Sequence, residues 1–218
     1  QAIEKHSLRM GAMVFNMNFE SPTLVANTEE SRTILKDELN TALEAAKRAN
    51  ATVMTTLSGI SDPRLPEEIQ TINMIENLRW LGDEVAKHNL TLGVEAITAR
   101  NWPGVFLKST RKALQLVTAV DHPHVRLIFD VFQAQVEDGD LLRGLEEAWE
   151  KIAMIQLADA PHRTEPGSGE INFQNLLQLI HDKGFDGLVE LEHAHSIDGL
   201  AGEKNSLEIW KELDRRIR

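Results

Sequence analysis

One pattern recurs along this chain and limits its possible folds more than any other feature. A short apolar run is followed by a polar loop, and the loop by an amphipathic helix. The runs cover residues 8–15, 52–58, 90–96, 125–131, 152–159 and 188–193, and their starts lie roughly 27 to 44 residues apart. Each run has the length of a strand buried on both faces, and each interval is about one βα unit. The residues themselves do not repeat, so the architecture recurs without a solenoid motif.

The helices between the runs carry their own signals. Asn27 and Glu30 have capping-box spacing ahead of Ile34, Leu35, Leu39, Leu43 and Ala46, and Lys47 and Arg48 suit the dipole at the far end. Pro66 marks a first turn, after which Ile69, Ile72, Ile75, Leu78 and Val85 read as an inner face. Phe173, Leu176, Leu177 and Ile180 form another face, stopped by Gly184, and the last helix carries Leu207, Trp210, Leu213 and Ile217. The tryptophans read as core, except Trp102, which sits in a loop after a strand where a ligand could touch it. The opening Ala2-Ile3-Glu4-Lys5 resembles a helix that runs into the first strand without a cap.

Strict βα alternation predicts a parallel sheet covered by helices, either open and doubly wound or closed as a (β/α)8 barrel. An open nucleotide-binding sheet carries a Gly-rich phosphate loop after an early strand. None is present, and Gly167-Ser168-Gly169 is followed by Glu170, which repels phosphate. A barrel wants eight units and about 250 residues. The 218 residues hold six units, so a barrel must be incomplete, and the uncapped start points to the N-terminal end. A net charge of -11 with scattered Lys and Arg argues against nucleic acid and anionic membrane as partners. No apolar run is long enough to span a bilayer. Without cysteine, thiolate metal sites and disulfides are excluded. No signal peptide is visible; the compartment stays open, with the cytoplasm favoured.

In either form of sheet, ligands bind at the C-terminal strand ends. Four successive runs place one polar residue there: Glu95, Asp130, Gln156 and Glu192. Carboxylates from neighbouring strands repel one another, and a divalent cation removes that conflict. Three carboxylates and one amide oxygen are hard ligands that suit Mg²⁺ or Mn²⁺. Glu190 and Glu192 share a strand face, and Glu192 is chosen because it lies nearer the end. The loop after Gln156 holds Asp159, His162, Arg163, Glu165 and Glu170 among prolines and glycines. Arg163 is the natural clamp for a substrate carboxylate or hydroxyl, unless it pairs with Glu165 at the surface. His193 and His195 are candidates for extra ligands or for groups behind the ligands. Asp121-His122-Pro123-His124 precedes a strand, at the wrong end of the sheet for catalysis.

These residues resemble the xylose isomerase-like TIM barrel superfamily and, within it, the hydroxypyruvate isomerase branch. The resemblance runs in order from about residue 8 to residue 193. It rests on residues 93–104 around Glu95, on Phe129-Asp130-Val131-Phe132, on residues 136–141 and on Ile155-Gln156-Leu157-Ala158-Asp159. Its most specific part is Arg163-Thr164-Glu165-Pro166-Gly167-Ser168-Gly169-Glu170-Ile171-Asn172, and Asp186-Gly187 leading to Glu192 completes it. The resemblance implies a single barrel domain over residues 1–218 holding strands 3 to 8, with the first two βα units absent. The chain is then expected to be part of a longer protein, or to have the gap covered by a partner.

The resemblance also implies an Mg²⁺- or Mn²⁺-dependent aldose–ketose isomerase, with Glu95, Asp130, Gln156 and Glu192 as metal ligands and Glu95 and Glu192 as the acid–base pair. Proton transfer through an enediolate would turn hydroxypyruvate, or a similar small hydroxy-keto acid, into its isomer. Gln133 stands where the family usually has histidine, and can hydrogen-bond a substrate but cannot carry a proton. Arg163 or Arg100 would meet an acid substrate. The alternatives are a keto-sugar 3-epimerase on the same scaffold, or a non-catalytic binding protein with a decayed site. An endonuclease would want more histidines and a basic face. Barrels of this family often pair, so a homodimer is the assembly the resemblance allows.

Overall fold

The computed structural model describes residues 5–6, 10–16 and 21–217. The helix-like opening at Ala2-Ile3-Glu4 and the start of the first apolar run lie outside them. Among the described residues, six strands form one sheet in chain order: β1 (Ala12–Val14), β2 (Val53–Leu57), β3 (Thr91–Glu95), β4 (Val125–Asp130), β5 (Ile152–Leu157) and β6 (Leu188–Leu191). Every neighbouring pair is parallel. A sheet with this order curls like part of a barrel wall. The curl brings the two outer strands within side-chain reach, because the Ala12 backbone N–H donates to Glu190 Oε1 at 2.6 Å.

Among the described residues, seven α-helices follow the strands: α1 (Glu29–Ala49), α2 (Glu67–Ala86), α3 (Thr110–Val120), α4 (Val131–Glu137), α5 (Leu141–Ala148), α6 (Phe173–Asp182) and α7 (Gly199–Arg216). The core lies between them and the outward face of the sheet, with Leu35, Leu39, Leu78, Leu81, Leu127 and Phe129 buried there. Inside the curl, Gly93 on β3 leaves room for Ile128 on β4. A Cβ at Gly93 would stand 2.6 Å from the Ile128 side chain. That close approach explains the glycine two residues before Glu95.

Four sequence expectations change. The capping box of α1 is one residue later than the Asn27 and Glu30 spacing predicts. Thr28 is the N-cap, its side chain accepts from Ser31 N–H, and the Ser31 hydroxyl closes the box. Asn27 instead donates to Glu76. Pro66 sits at the N-cap of α2 instead of inside its first turn.

The larger correction is the face of α2. Ile69 and Ile72 are exposed, at 43% and 50%, while Gln70, Asn73 and Asn77 turn inward beside Met74, Leu78, Leu81 and Val85. The buried amides satisfy irregular backbone. Asn73 donates to Val25 O, Asn77 to Leu24 O and Ala26 O, and Gln70 to Asp62 O and Leu65 O. Carbonyls at 24–26 would otherwise be buried without partners, so the helix rotates its amides toward them. Leu207 on α7 is also exposed, whereas α6 buries Phe173, Leu176, Leu177 and Ile180 as predicted.

Candidate functional site

Strand periodicity sets the site. Asp130 ends β4 and pairs in register with Gln156 on β5, which pairs with Glu190 on β6. Glu95 ends β3, and Glu192 lies one residue beyond β6, its N–H still bonded to Leu157 O. Glu95, Asp130 and Glu192 each place a carboxylate oxygen within 4.8 Å of the other two. Glu190 does not join them among the described residues, because its carboxylate takes the Ala12 N–H.

Asp130 has two duties. Its Oδ1 caps α4, accepting from Phe132 N–H at 2.8 Å and Gln133 N–H at 3.1 Å. Its Oδ2 accepts from Arg163 Nη2 at 3.1 Å, and the same nitrogen donates to Glu192 Oε2 at 2.8 Å. Arg163 therefore holds the strand-end carboxylates and does not pair with Glu165, and its guanidinium also lies over the Phe132 ring. Its backbone is left-handed, with φ of 55°, which costs a non-glycine residue about 1–2 kcal/mol. Both sides of that residue are pinned. Its N–H donates to Asp159 O and its carbonyl accepts from Ala194 N–H, both at 2.9 Å. Such strain persists only where the surroundings enforce it. Asp159 is the organiser of this loop: its buried carboxylate accepts from the N–H groups of Gly167, Gly169 and Ile171.

The electrostatics follow from crowding. Burial pushes the Glu95 carboxyl well above its usual range, and the charges of Asp130 and Glu192 add to the rise against the pull of Arg163. Burial also raises Asp130, opposed by Arg163 and the two backbone N–H groups of its cap. Glu192 is pushed up to about 7 by removal from water, with Asp130 and Glu190 adding and Arg163 opposing. One arginine does not neutralise three carboxylates. Beside them, Gln156 Oε1 is buried and has no hydrogen-bond partner. An orphaned amide oxygen next to under-compensated carboxylates fits a hard divalent cation, which these four residues could hold.

Gln133, fully buried on the first turn of α4, accepts the Thr98 N–H through Oε1 at 2.8 Å. That bond fixes the amide orientation and leaves Nε2 buried with no partner. Arg100 makes no hydrogen bond or ion pair with the quartet among the described residues. It is exposed in the turn after β3, with no ion pair among the described residues. The 98–101 turn is instead tied to α4, where Glu137 accepts from the Thr98 hydroxyl and the Ala99 N–H. Trp102 is 39% exposed in the same turn. His122 pairs with Asp83 at the opposite end of the sheet. No helix among the described residues is long and apolar enough to cross a membrane.

Similar proteins share this framework. Hydroxypyruvate isomerase of Escherichia coli (strain K12) is 33% identical over 147 residues, covering 67% of this chain and 55% of that protein. 2-Oxo-tetronate isomerase of Pectobacterium atrosepticum is 29% identical over 156 residues, covering 72% of this chain and 60% of that protein. The chain thus spans a little over half the length of these curated relatives. The crystal structure of an AP endonuclease, family 2, from Brucella melitensis superposes with a TM-score of 0.81 at 28% identity, over 92% of this chain and 78% of that one. A D-tagatose 3-epimerase-like protein shares the fold, with a TM-score of 0.82 at 17% identity, over 98% of this chain and 80% of that one. With residues 1–213 matching the model of the xylose isomerase-like TIM barrel, the chain belongs to that family.

Proposed function

We propose that this chain carries the metal and acid–base site of an isomerase acting on a small hydroxy-2-oxo acid, most closely hydroxypyruvate. The observation that carries the reading is the strand-end quartet: three converging carboxylates beside a buried, unpartnered Gln156 oxygen. Glu95, Asp130, Gln156 and Glu192 would hold Mg²⁺ or Mn²⁺. When bound, such an ion would polarise the substrate's carbonyl and hydroxyl oxygens.

The side chains supply the rest. Glu95 and Glu192 exchange a proton with the two reacting carbons. One carboxylate removes it from the hydroxymethyl carbon and it returns at the former carbonyl carbon, while the hydroxyl proton of the hydroxymethyl group passes to the former carbonyl oxygen, giving tartronate semialdehyde. A raised carboxyl range suits groups that must both take and give a proton near neutrality. Arg163 clamps the substrate carboxylate. Its Nε is buried and unpartnered, so the guanidinium has donor capacity beyond its two present contacts. Gln133 Nε2 donates to a substrate oxygen. The names of the two curated isomerase relatives support this substrate class, since both substrates are hydroxy-2-oxo acids. The net charge of -11 weighs against a nucleic-acid substrate.

The test is deuterium exchange. The protein is incubated with Mn²⁺ and hydroxypyruvate in D₂O, and the hydroxymethyl carbon is followed by NMR with an EDTA control. Mn²⁺-dependent exchange with formation of tartronate semialdehyde is expected. No exchange from a folded, Mn²⁺-loaded sample removes hydroxypyruvate, and exchange on a ketohexose in its place would move the assignment to an epimerase.

A further inference from the structure

A second cluster lies where the loop after β5 meets the segment after β6. Glu165, His193 and His195 each place a ligand atom within 4.8 Å of the other two. Glu165 is 1% exposed, yet its hydrogen-bond partners are neutral. The Ser196 N–H donates to Oε2 at 2.8 Å, while the Ser196 hydroxyl and Asn205 Nδ2 reach Oε1. Although burial works the other way, these bonds hold its carboxyl below the usual range. No Lys or Arg pairs with it among the described residues. A buried carboxylate in this state lacks a counter-charge.

The histidines are set up to provide ligands for one. His193 Nδ1 stands 2.7 Å from the Ala194 carbonyl. A carbonyl only accepts, so Nδ1 carries a proton, and Nε2 is the nitrogen left to offer a ligand. That Nε2 is buried and has no partner. His195, nearer the surface, also has Nδ1 engaged, 2.8 Å from Ser206 Oγ, which leaves Nε2 as the nitrogen open to a ligand. A ring nitrogen held by a carbonyl or hydroxyl, with the other one open, is how metal-binding imidazoles are usually oriented.

We propose that Glu165, His193 and His195 form a site for a zinc-class divalent ion, separate from the strand-end oxygen quartet. The donor sets sort the ions. Two imidazoles and a carboxylate suit Zn²⁺ or Co²⁺ in four-coordinate geometry with water as fourth ligand, whereas the quartet offers only hard oxygens. Bonds of about 2.0–2.1 Å place tetrahedral ligand atoms roughly 3.3 Å apart, a modest side-chain contraction of the present cluster. The ion would clip the two segments together around Arg163. Glu165 is two residues beyond that arginine, and Ala194, between the histidines, holds its carbonyl. The clip thereby fixes the left-handed backbone that aims the guanidinium at Asp130 and Glu192.

The test reads metal, not activity, so it stands apart from the isomerase reading. Zinc retained after desalting is measured by elemental analysis in the unmodified protein, in His193→Gln/His195→Gln and in Asp130→Asn/Glu192→Gln. Replacing both histidines should remove one equivalent per chain, which the Asp130/Glu192 variant keeps whether or not the quartet also binds zinc. Co²⁺ added to the unmodified protein should give the intense visible bands of a four-coordinate ion, absent from the histidine variant. Equal zinc in the histidine variant and the unmodified protein overturns the proposal. Zinc lost only from the Asp130/Glu192 variant does the same. If the histidine variant does not fold, the cobalt spectrum decides, and weak six-coordinate bands alone refute the site.

Discussion

Strands β2 to β5 are buried along nearly their whole length, whereas β1 and β6 consist of half-buried and exposed residues. Val14, Val189 and Leu191 are 45%, 43% and 45% exposed, while Leu92, Leu127 and Ile155 are essentially sealed. The candidate site straddles this divide. Glu95, Asp130 and Gln156 stand on central strands and are at most 4% exposed, but the Glu192 side chain, beyond β6, is 46% exposed. Three of the four oxygens are therefore placed by dense packing. The fourth is placed by Arg163 and the loop that carries it. The centre provides rigidity, and the flank provides the adjustable member of the quartet.

The largest expected effect tests the centre directly. Phe129→Ala on β4 should cost about 3–5 kcal/mol in urea unfolding, because its ring is sealed under α5 and little can collapse into the space. Val189→Ala on β6 should cost less than about 1 kcal/mol, since much of its surface already meets water. Equal costs would erase the distinction between centre and flank.

A smaller contrast separates the two carboxylates that share Arg163. Asp130→Ala should lose about 1–2 kcal/mol, because the residue is also the N-cap of α4. Asp130→Asn should keep the cap and most of that stability. Glu192 caps nothing, so Glu192→Gln should leave the metal-free protein equally stable or more so. All three should weaken Mn²⁺ binding in calorimetric titration. Loss of stability in Glu192→Gln comparable to that of Asp130→Ala would place both residues in the same structural role.

The pH dependence carries a definite sign. The Glu192 carboxyl rises from 4.5 to about 7 on folding, so the folded protein holds that proton more tightly than the unfolded chain. The resulting stability is fully present below pH 4.5 and is lost as the pH climbs through about 7. The melting temperature of the metal-free protein, referenced to Glu192→Gln, should therefore fall across that window and level off above it. Mn²⁺ should reverse the fall, since the ion binds the ionised form. A difference that stays flat with pH would mean that neither desolvation nor the charges of Asp130 and Glu190 raise the Glu192 carboxyl.

The same divide explains what the sequence could reveal. Central strands read clearly because burial on both faces leaves continuous apolar runs, and a lone Glu or Asp interrupting such a run stands out. Glu95, Asp130 and Gln156 were legible for that reason. Glu192 is harder to single out, because Glu190 shares its face, and what turns Glu190 away from the other carboxylates is a contact with Ala12 that no local pattern encodes. The inner face of α2 misled because Gln70, Asn73 and Asn77 serve carbonyls some 5 to 53 residues away. Hydrophobic periodicity has no means of showing a buried amide whose partner is distant irregular backbone. The sequence offers Glu165 only as an alternative partner for Arg163, and only the fold shows that it turns to Ser196 and Asn205.

The smallest effect sharpens the account of the centre. Gly144 lies inside α5, directly over Phe129, and glycine in a helix interior costs about 0.8–1.0 kcal/mol relative to alanine. A Cβ built there meets the Phe129 ring at 3.7 and 3.8 Å, ordinary contact distances, so the methyl fits without moving the ring. Gly144→Ala should therefore stabilise the protein by about 0.5–1 kcal/mol, read as a shift of the urea midpoint at unchanged slope. The sign is the informative part. A gain shows that the burial of β4 leaves a methyl-sized margin beneath α5, so the rigidity that places Asp130 comes from its cap and register more than from perfect packing on the outer face. A loss shows that Phe129 cannot yield even at van der Waals distance, and that the outer face of β4 is the firmer support.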